Sequence, residues 1–432
     1  MKNELIFVHE WIGPNGPINN YRNPDLYDIS RALLDMSWGS HHAENDHDPI
    51  VGDIKKFVDC RIVSSWDKKN YLEKKFFYEI NVTPRNDILK TLFEPGIGFL
   101  ETTRVNDNVI DAVNKKQGYF LITNRFESFL EDEYLLKIHS YFDSHNIPLE
   151  KVIYLTNCFN SRELYEDFCQ RFSITKRINC EFANLYLLKT KELFLDSRYE
   201  KRKVEYAKKE RVFLNWNRRQ RLHRLLTLLK FKEQNMLDKA YMSFSRDIDF
   251  DNWIDHTKNI CRSFNINLSD DQLANLYDSL PFYLDSENLH RFPVEDDIFD
   301  TASWYEKTWV SLVSETNFEN NIIHMTEKTI KPILFKQPFI IFGPPKTLEA
   351  LKSYGIRTFN DFWDESYDQE KDVRKRYEAV MKLCKEVAQW DEQKLKKFYD
   401  DSKMILERNY QVMKNLNQKD LNRFVKRYGN KK

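Results

Sequence analysis

The sequence predicts an α/β protein made of two Rossmann-like domains. Each is a parallel sheet wrapped by helices, the two face a cleft, and a helical C-terminal tail follows. Three observations carry that expectation. At 432 residues the chain is longer than a single hydrophobic core usually grows. Short apolar runs bounded by Gly, Pro and Asn alternate with segments of helical spacing in both halves. Between the halves, DSRYEKRKVEYAKK (196–209) is nearly free of large aliphatic residues and reads as a boundary near residue 205. The expected division is 1–205, 206–405, and a last helix over 406–432 that crosses back to the first domain.

The first half opens with ELIFVHEW (4–11), a strand that runs into the loop GPNGPINN. Further strands are expected at KKFVDCRIVSS (55–65), KKFFYEINV (74–82), GIGFLE (96–101), GYFLITN (118–124) and KVIYLTNC (151–158). FESFLEDEYLLKIHSYFDSHN, between the last two, has helical spacing. The second half repeats the logic. Strands are expected at 211–217, 239–244, 309–315 and 338–343, with helices at 220–230, to about 280, at 326–336 and at 346–354. Charged helical patterns without strand signal fill 368–426. Parallel strands need long crossovers, which the intervening helices supply.

Composition narrows the function classes. Hydrophobic content of 41% with 14% aromatic residues describes a globular protein and not a disordered chain. Sixty-seven basic residues balance 67 acidic ones, so any nucleic-acid contact must come from a local patch. No apolar run reaches the roughly 20 residues a bilayer span needs, and MKNELIFVHEW lacks the order of a signal peptide. The expected location is the cytoplasm. The six cysteines form no CxxC pair and are expected to be buried thiols.

Ligands of parallel sheets bind at the carboxyl ends of strands, so the loops after strands hold the candidate site. RVFLNWN (211–217) is followed by RRQRLHR, which places Arg218, Arg219, Arg221, His223 and Arg224 at a helix start. Guanidinium groups there suit a phosphate or diphosphate, and a solvated charged face is the alternative. After WVSLVSE, whose last residue is Glu315, comes TNFENNIIHMTEKT, where Thr326 is positioned to cap a helix beginning at Glu327. A carboxylate at Glu327 can accept two hydroxyl hydrogen bonds, as a diol offers, and the Lys328 ammonium can neutralise a diphosphate. Plain helix capping is the structural alternative. Glu319 and Glu327 also have seven residues between them, a spacing weak on its own.

With PFIIFGPP and SYGIRTFNDFWD following, the TEK unit resembles the C-terminal nucleotide-sugar domain of GT-B glycosyltransferases, especially α1,3-fucosyltransferases. NRRQRLHRLL, LDKAYMSF, SETNF, TEKTIKPIL, PFIIFG and DESYD resemble a group of uncharacterised phage and viral proteins assigned to the glycosyltransferases. The likeness covers about residues 211–370 and leaves the first half without a named motif. It implies a GT-B-like fold and transfer of a hexosyl or pentosyl unit from a UDP-, GDP- or CMP-sugar to a hydroxyl. Glu327 would bind ribose or sugar and Lys328 the diphosphate. Arg218 or Arg219 would meet the diphosphate from the opposite loop, with Arg224, Glu315 and Thr326 also on the donor side. The acceptor would be a glycan, a small molecule or a hydroxylated base of phage DNA, and a viral protein would act in the host cytoplasm. The FEN segment stands differently from the fucosyltransferase pattern, being followed here by NIIHM, so fucose is not inferred.

No cofactor or metal is required for such a transfer, since Arg, Lys and helix dipoles can stabilise a leaving diphosphate. The pairs Asp46/Asp48 and Asp247/Asp249 have a spacing expected by chance. SHHAENDHDP (40–49) is rich in imidazole and carboxylate, and stands as a metal site, an acceptor-side loop or a polar surface loop. A base for an inverting transfer would come from the first domain. The candidates are His9, Glu10, Asp46 and Glu101, with Glu10 favoured by its strand-end position. A retaining transfer needs no such base and would bring Glu319 forward. The competing class is a nucleic-acid-binding protein without enzymatic activity that uses the basic runs 201–211 and 218–224.

Overall fold

The computed structural model describes residues 3–9, 12–13, 16–17, 60–64, 73–81, 107–115, 117–124, 129–196, 208–217, 220–246, 249–282, 284, 302–416 and 419–431. The chain divides into two compact units, Met1–Lys189 with Asn417–Lys432, and Thr190–Leu416. Each contains a parallel sheet with helices, so the fold is α/β as expected. The boundary expected near residue 205 and the strand expected at 96–101 lie outside the described residues. The end expected at residue 405 falls inside the long helix Glu392–Lys414.

The first unit begins with β1 (Asn3–His9), then a two-strand ribbon of β2 (Ile12–Gly13) and β3 (Gly16–Pro17). Next come β4 (Cys60–Ser64), β5 (Phe76–Asn81), α1 (Asp107–Asn114), β6 (Gly118–Asn124) and α2 (Asp132–Ser144). β7 (Val152–Thr156), α3 (Ser161–Arg171) and β8 (Asn179–Phe182) follow, and α4 (Leu185–Asp196) spans the division between the units. The parallel strands lie in the order β4-β1-β5-β6-β7-β8. Phe120, Leu121 and Ile122 are all fully buried, which explains why GYFLITN is a continuous apolar run and not an alternating one. Gly118 is required there, because a Cβ would fall on the Phe76 ring. β8 is absent from the sequence expectation. Its NCEF has no apolar run, and it is an edge strand, mostly half-buried.

The last helix, Lys419–Tyr428, and the two-residue strand Asn430–Lys431 belong to this same unit. Phe424 packs tilted and Tyr428 edge-on against Phe77, and the strand pairs antiparallel with the start of β1. Glu181, buried on β8, accepts from Arg162 (2.7 Å), Arg427 (2.6 Å) and the Tyr428 hydroxyl (2.9 Å). A buried carboxylate with three donors fixes where this returning helix docks.

The second unit runs β9 (Arg211–Asn215), α5 (Leu222–Glu233), β10 (Ala240–Met242), α6 (Phe250–Ser263) and α7 (Asp270–Asp278). It continues with β11 (Thr308–Ser314), α8 (Glu327–Leu334), β12 (Phe339–Phe342) and α9 (Thr347–Ser353), before the helices Val373–Ala388 and Glu392–Lys414. All four strands are parallel, in the order β10-β9-β11-β12. Helix starts follow the local code: Asp249, Thr326, Asp372 and Asp391 each accept a first-turn N–H, and Ser269 with Gln272 forms a capping box. α9 is capped from a distance instead. Asp368 accepts from the Leu348 N–H (2.7 Å) and the Glu349 N–H (3.1 Å), so DESYD holds the turn after PFIIFG.

Candidate functional site

Strand order in the second unit locates the site. β9 comes first in sequence, and its successors β10 and β11 lie on opposite sides of it. Connections that leave in opposite directions open a crevice at the carboxyl ends of the two middle strands, here β9 and β11. Asn215 closes β9 and Ser314 closes β11, and the two are tied together. Asn215 Nδ2 donates to Leu312 O (2.6 Å) and to Ser314 Oγ (3.1 Å), while its Oδ1 accepts from Asn217 Nδ2. Asn217 N–H in turn donates to Ser243 Oγ beyond β10 (3.0 Å). A polar ladder thus joins the ends of three strands.

The next residue, Glu315, is fully buried. Its Oε1 accepts from the Thr326 N–H (2.9 Å) and the Thr329 hydroxyl (2.5 Å). Its Oε2 accepts from the Thr326 hydroxyl (2.8 Å) and the Thr316 N–H (3.0 Å). Four donors compensate a buried charge and clamp the first turn of α8 to the end of β11. Thr326 Oγ1 then accepts from the Lys328 N–H (3.3 Å) and lies 3.4 Å from Lys328 Nζ. Glu315 therefore positions this turn, and its carboxylate oxygens are already occupied by protein donors.

Glu327 and Lys328 stand in that turn with their side chains 22% and 21% exposed, paired at 2.6 Å. They are the charged groups that the clamp presents. Arg221 is exposed and donates to Thr316 O (2.7 Å). Arg224 is buried and donates to Ser314 O (3.3 Å) and Glu315 O (3.4 Å), so it braces the end of β11 from within. Arg376 does similar work from the C-terminal side. It is buried, reaches Gly343 O (3.2 Å), Glu370 O (2.7 Å) and Phe318 O, and lies over the Phe318 ring.

Two histidines pack behind the crevice. His223 Nε2 donates to Glu315 O (2.9 Å) and the ring stacks on Phe318. Burial pulls its pKa down to about 3, with Arg224 adding to the effect. His324 is likewise buried and held down to about 4, mainly by desolvation, with the Glu315 charge opposing. Both are neutral at pH 7.

Other sequence candidates fall elsewhere. Glu319 is exposed on the loop between β11 and α8, and is not among the residues that clamp Thr326. Asp249 caps α6, accepting from the Asn252 N–H (3.1 Å), which gives that carboxylate a structural role. Glu10, Asp46, Glu101, Arg218, Arg219 and the rest of 40–49 lie outside the described residues. Of His9 only the backbone is described, at the end of β1. No group of His, Cys, Asp and Glu able to hold a metal occurs among the described residues. Asn215, Asn217 and Arg376 carried no motif. The signal for the first two was an asparagine pair closing an otherwise apolar strand.

No family model and no curated protein matches the chain. Among solved structures it is similar to an α,α-trehalose-phosphate synthase (UDP-forming) from Burkholderia vietnamiensis, at 9% identity, 74% of this chain, 69% of that one and a TM-score of 0.37. It is similar to the N-terminal domain of Candida albicans trehalose-6-phosphate phosphatase at 12% identity, covering 99% and 97%, with a TM-score of 0.40. Anabaena HepE in complex with UDP and glucose gives 10% identity, 98% and 100% coverage and a TM-score of 0.37. Likenesses this distant say nothing of what this chain binds.

Proposed function

We propose that the second unit binds a nucleotide sugar at the carboxyl ends of β9 and β11, and that the chain is a glycosyltransferase. One observation carries the reading: at the switch point of a parallel sheet, a buried four-donor clamp holds Glu327 and Lys328 partly exposed in the first turn of a helix. A helix N-terminus with an added ammonium suits a diphosphate, and the adjacent carboxylate suits a ribose or sugar diol. Their mutual ion pair is no obstacle. A diphosphate carries more negative charge than one carboxylate, so it can displace Glu327 from Lys328.

In this reading Lys328 and the helix N-terminus stabilise the leaving diphosphate, and Arg218 or Arg219, which lie between β9 and α5 in sequence, would add a guanidinium to it. Glu327 turns to the hydroxyls. Glu315, Thr326 and Arg224 act through the first turn that they position. A base from the first unit, Glu10 or Asp46, would take the acceptor proton in an inverting transfer, whereas a retaining one would draw on Glu319. The acceptor is a glycan, a small molecule or a hydroxylated DNA base. No helix among the described residues is long and apolar enough to cross a membrane.

A thermal-shift panel of UDP, GDP, CMP and their sugars tests the reading. Stabilisation by one nucleotide series that disappears in Lys328→Ala supports it. Absence of stabilisation by every member of the panel rejects it.

A further inference from the structure

The turn between β9 and α5 has a property that the basic residues of RRQRLHR do not suggest. Three of its side chains are anchored through their donors. Asn215 Nδ2 faces Leu312 O, a carbonyl that can only accept, so Asn215 Oδ1 is fixed as an acceptor. The group facing it must then be the nitrogen of Asn217. Gln220 Nε2 points to Ser245 O (3.4 Å), again a carbonyl. His223 Nε2 meets Glu315 O (2.9 Å), so that nitrogen carries the proton and Nδ1 keeps a bare lone pair. The opposite ends, Asn217 Oδ1, Gln220 Oε1 and His223 Nδ1, are buried and have no hydrogen-bond partner. Asn217 and His223 are each 1% exposed.

Three buried acceptors in seven residues, at the switch point itself, ask for donors. A phosphate at neutral pH offers oxygens that accept, so it cannot satisfy them. A hydroxyl can. We propose that the β9–α5 turn reads hydroxyl groups of the bound nucleotide sugar, with Asn217 Oδ1 and His223 Nδ1 each accepting from one of them. The inference rests on the nucleotide-sugar reading above and gives this turn a specificity role beside the charge-neutralising role of Lys328. The hydroxyls belong either to the ribose or to the transferred sugar, two sources of one chemistry.

The test uses the full chain and two variants. His223→Gln keeps a donor near the Nε2 position for Glu315 O and deletes the Nδ1 acceptor. Asn217→Ala deletes the other acceptor. Ligand-free melting confirms that each is folded, and two independent variants keep the test alive should one unfold. Calorimetry then compares UDP, 2′,3′-dideoxy-UDP and UDP-glucose, with the matching guanosine series alongside. Each variant is expected to weaken the nucleotide sugar about tenfold. If only the sugar conjugate weakens, the hydroxyls are the sugar's. If the diphosphate weakens too while the dideoxy form is bound equally by variant and wild type, they are the ribose's. Equal weakening of all three ligands would overturn the proposal in favour of a phosphate or base contact. Unchanged affinity for all three would overturn it in favour of buried water. A wild-type chain that binds none of these ligands rejects the underlying nucleotide reading before any variant is compared.

Discussion

The two loops that leave the middle strands of the second sheet are built in opposite ways. After β11, every oxygen of Glu315 is met by protein donors, and the first turn of α8 is locked. After β9, Asn217, Gln220 and His223 are held by their donors and leave acceptors unmet, while the Trp216 indole N–H is a buried donor without a partner. The Glu315 clamp is a filled set of hydrogen bonds that presents a charge pair, whereas the β9–α5 turn carries buried acceptors that a donor would complete. A satisfied network rigidifies, and buried acceptors left without donors are costly until a donor meets them.

That contrast can be broken most severely at Glu315. Glu315→Ala strands four donors in a buried site and should destabilise the second unit by about 3–5 kcal/mol, measured by urea unfolding. A cost under about 1 kcal/mol would mean that the clamp does not hold α8. Asp368→Ala comes next, since it removes the distant cap of α9, and about 1–2 kcal/mol is expected in the same assay.

The neutral histidines sharpen the contrast through pH. His223 and His324 have folded pKa values of about 3 and about 4, below the ordinary 6.5 that they regain on unfolding. The unfolded chain therefore binds more protons between these values, and stability present above pH 6.5 is lost as pH falls toward 4. His139 in the first unit, also held to about 4 by burial, adds to the same trend. His223→Gln should make the loss shallower over that window, read by melting at a series of pH values. An unchanged slope would show that His223 does not couple to folding.

Much of this architecture was legible in the sequence. In the second unit the expected strands 211–217, 309–315 and 338–343 meet β9, β11 and β12 within one or two residues at each end. Fully buried parallel strands read as apolar runs, and their ends are marked by Asn, Ser-Glu and Gly. Thr326 as the cap of α8 was also legible, because capping is a local code. Contacts between distant segments were not. Nothing in SETNF shows that Glu315 reaches Thr329 fourteen residues on, or that Arg224 is buried and donates to the end of β11. The arginine-rich look of RRQRLHR hid the acceptors between the charges, since composition reports charge and not which way an amide faces.

The smallest effects are expected where charge is exposed. Glu319→Ala should leave stability within about 0.5 kcal/mol, because the residue stands on the surface of its loop. Lys328→Ala should cost about 1 kcal/mol of stability, since its pair with Glu327 is only about one-fifth exposed. Its effect belongs instead to binding. Calorimetric titration of UDP, GDP and CMP sugars into wild type and Lys328→Ala is the direct test of the central claim. The account predicts saturable binding of one nucleotide series to the wild type and at least a tenfold loss in the variant. Binding of equal strength in both proteins, or none in the wild type, would contradict it.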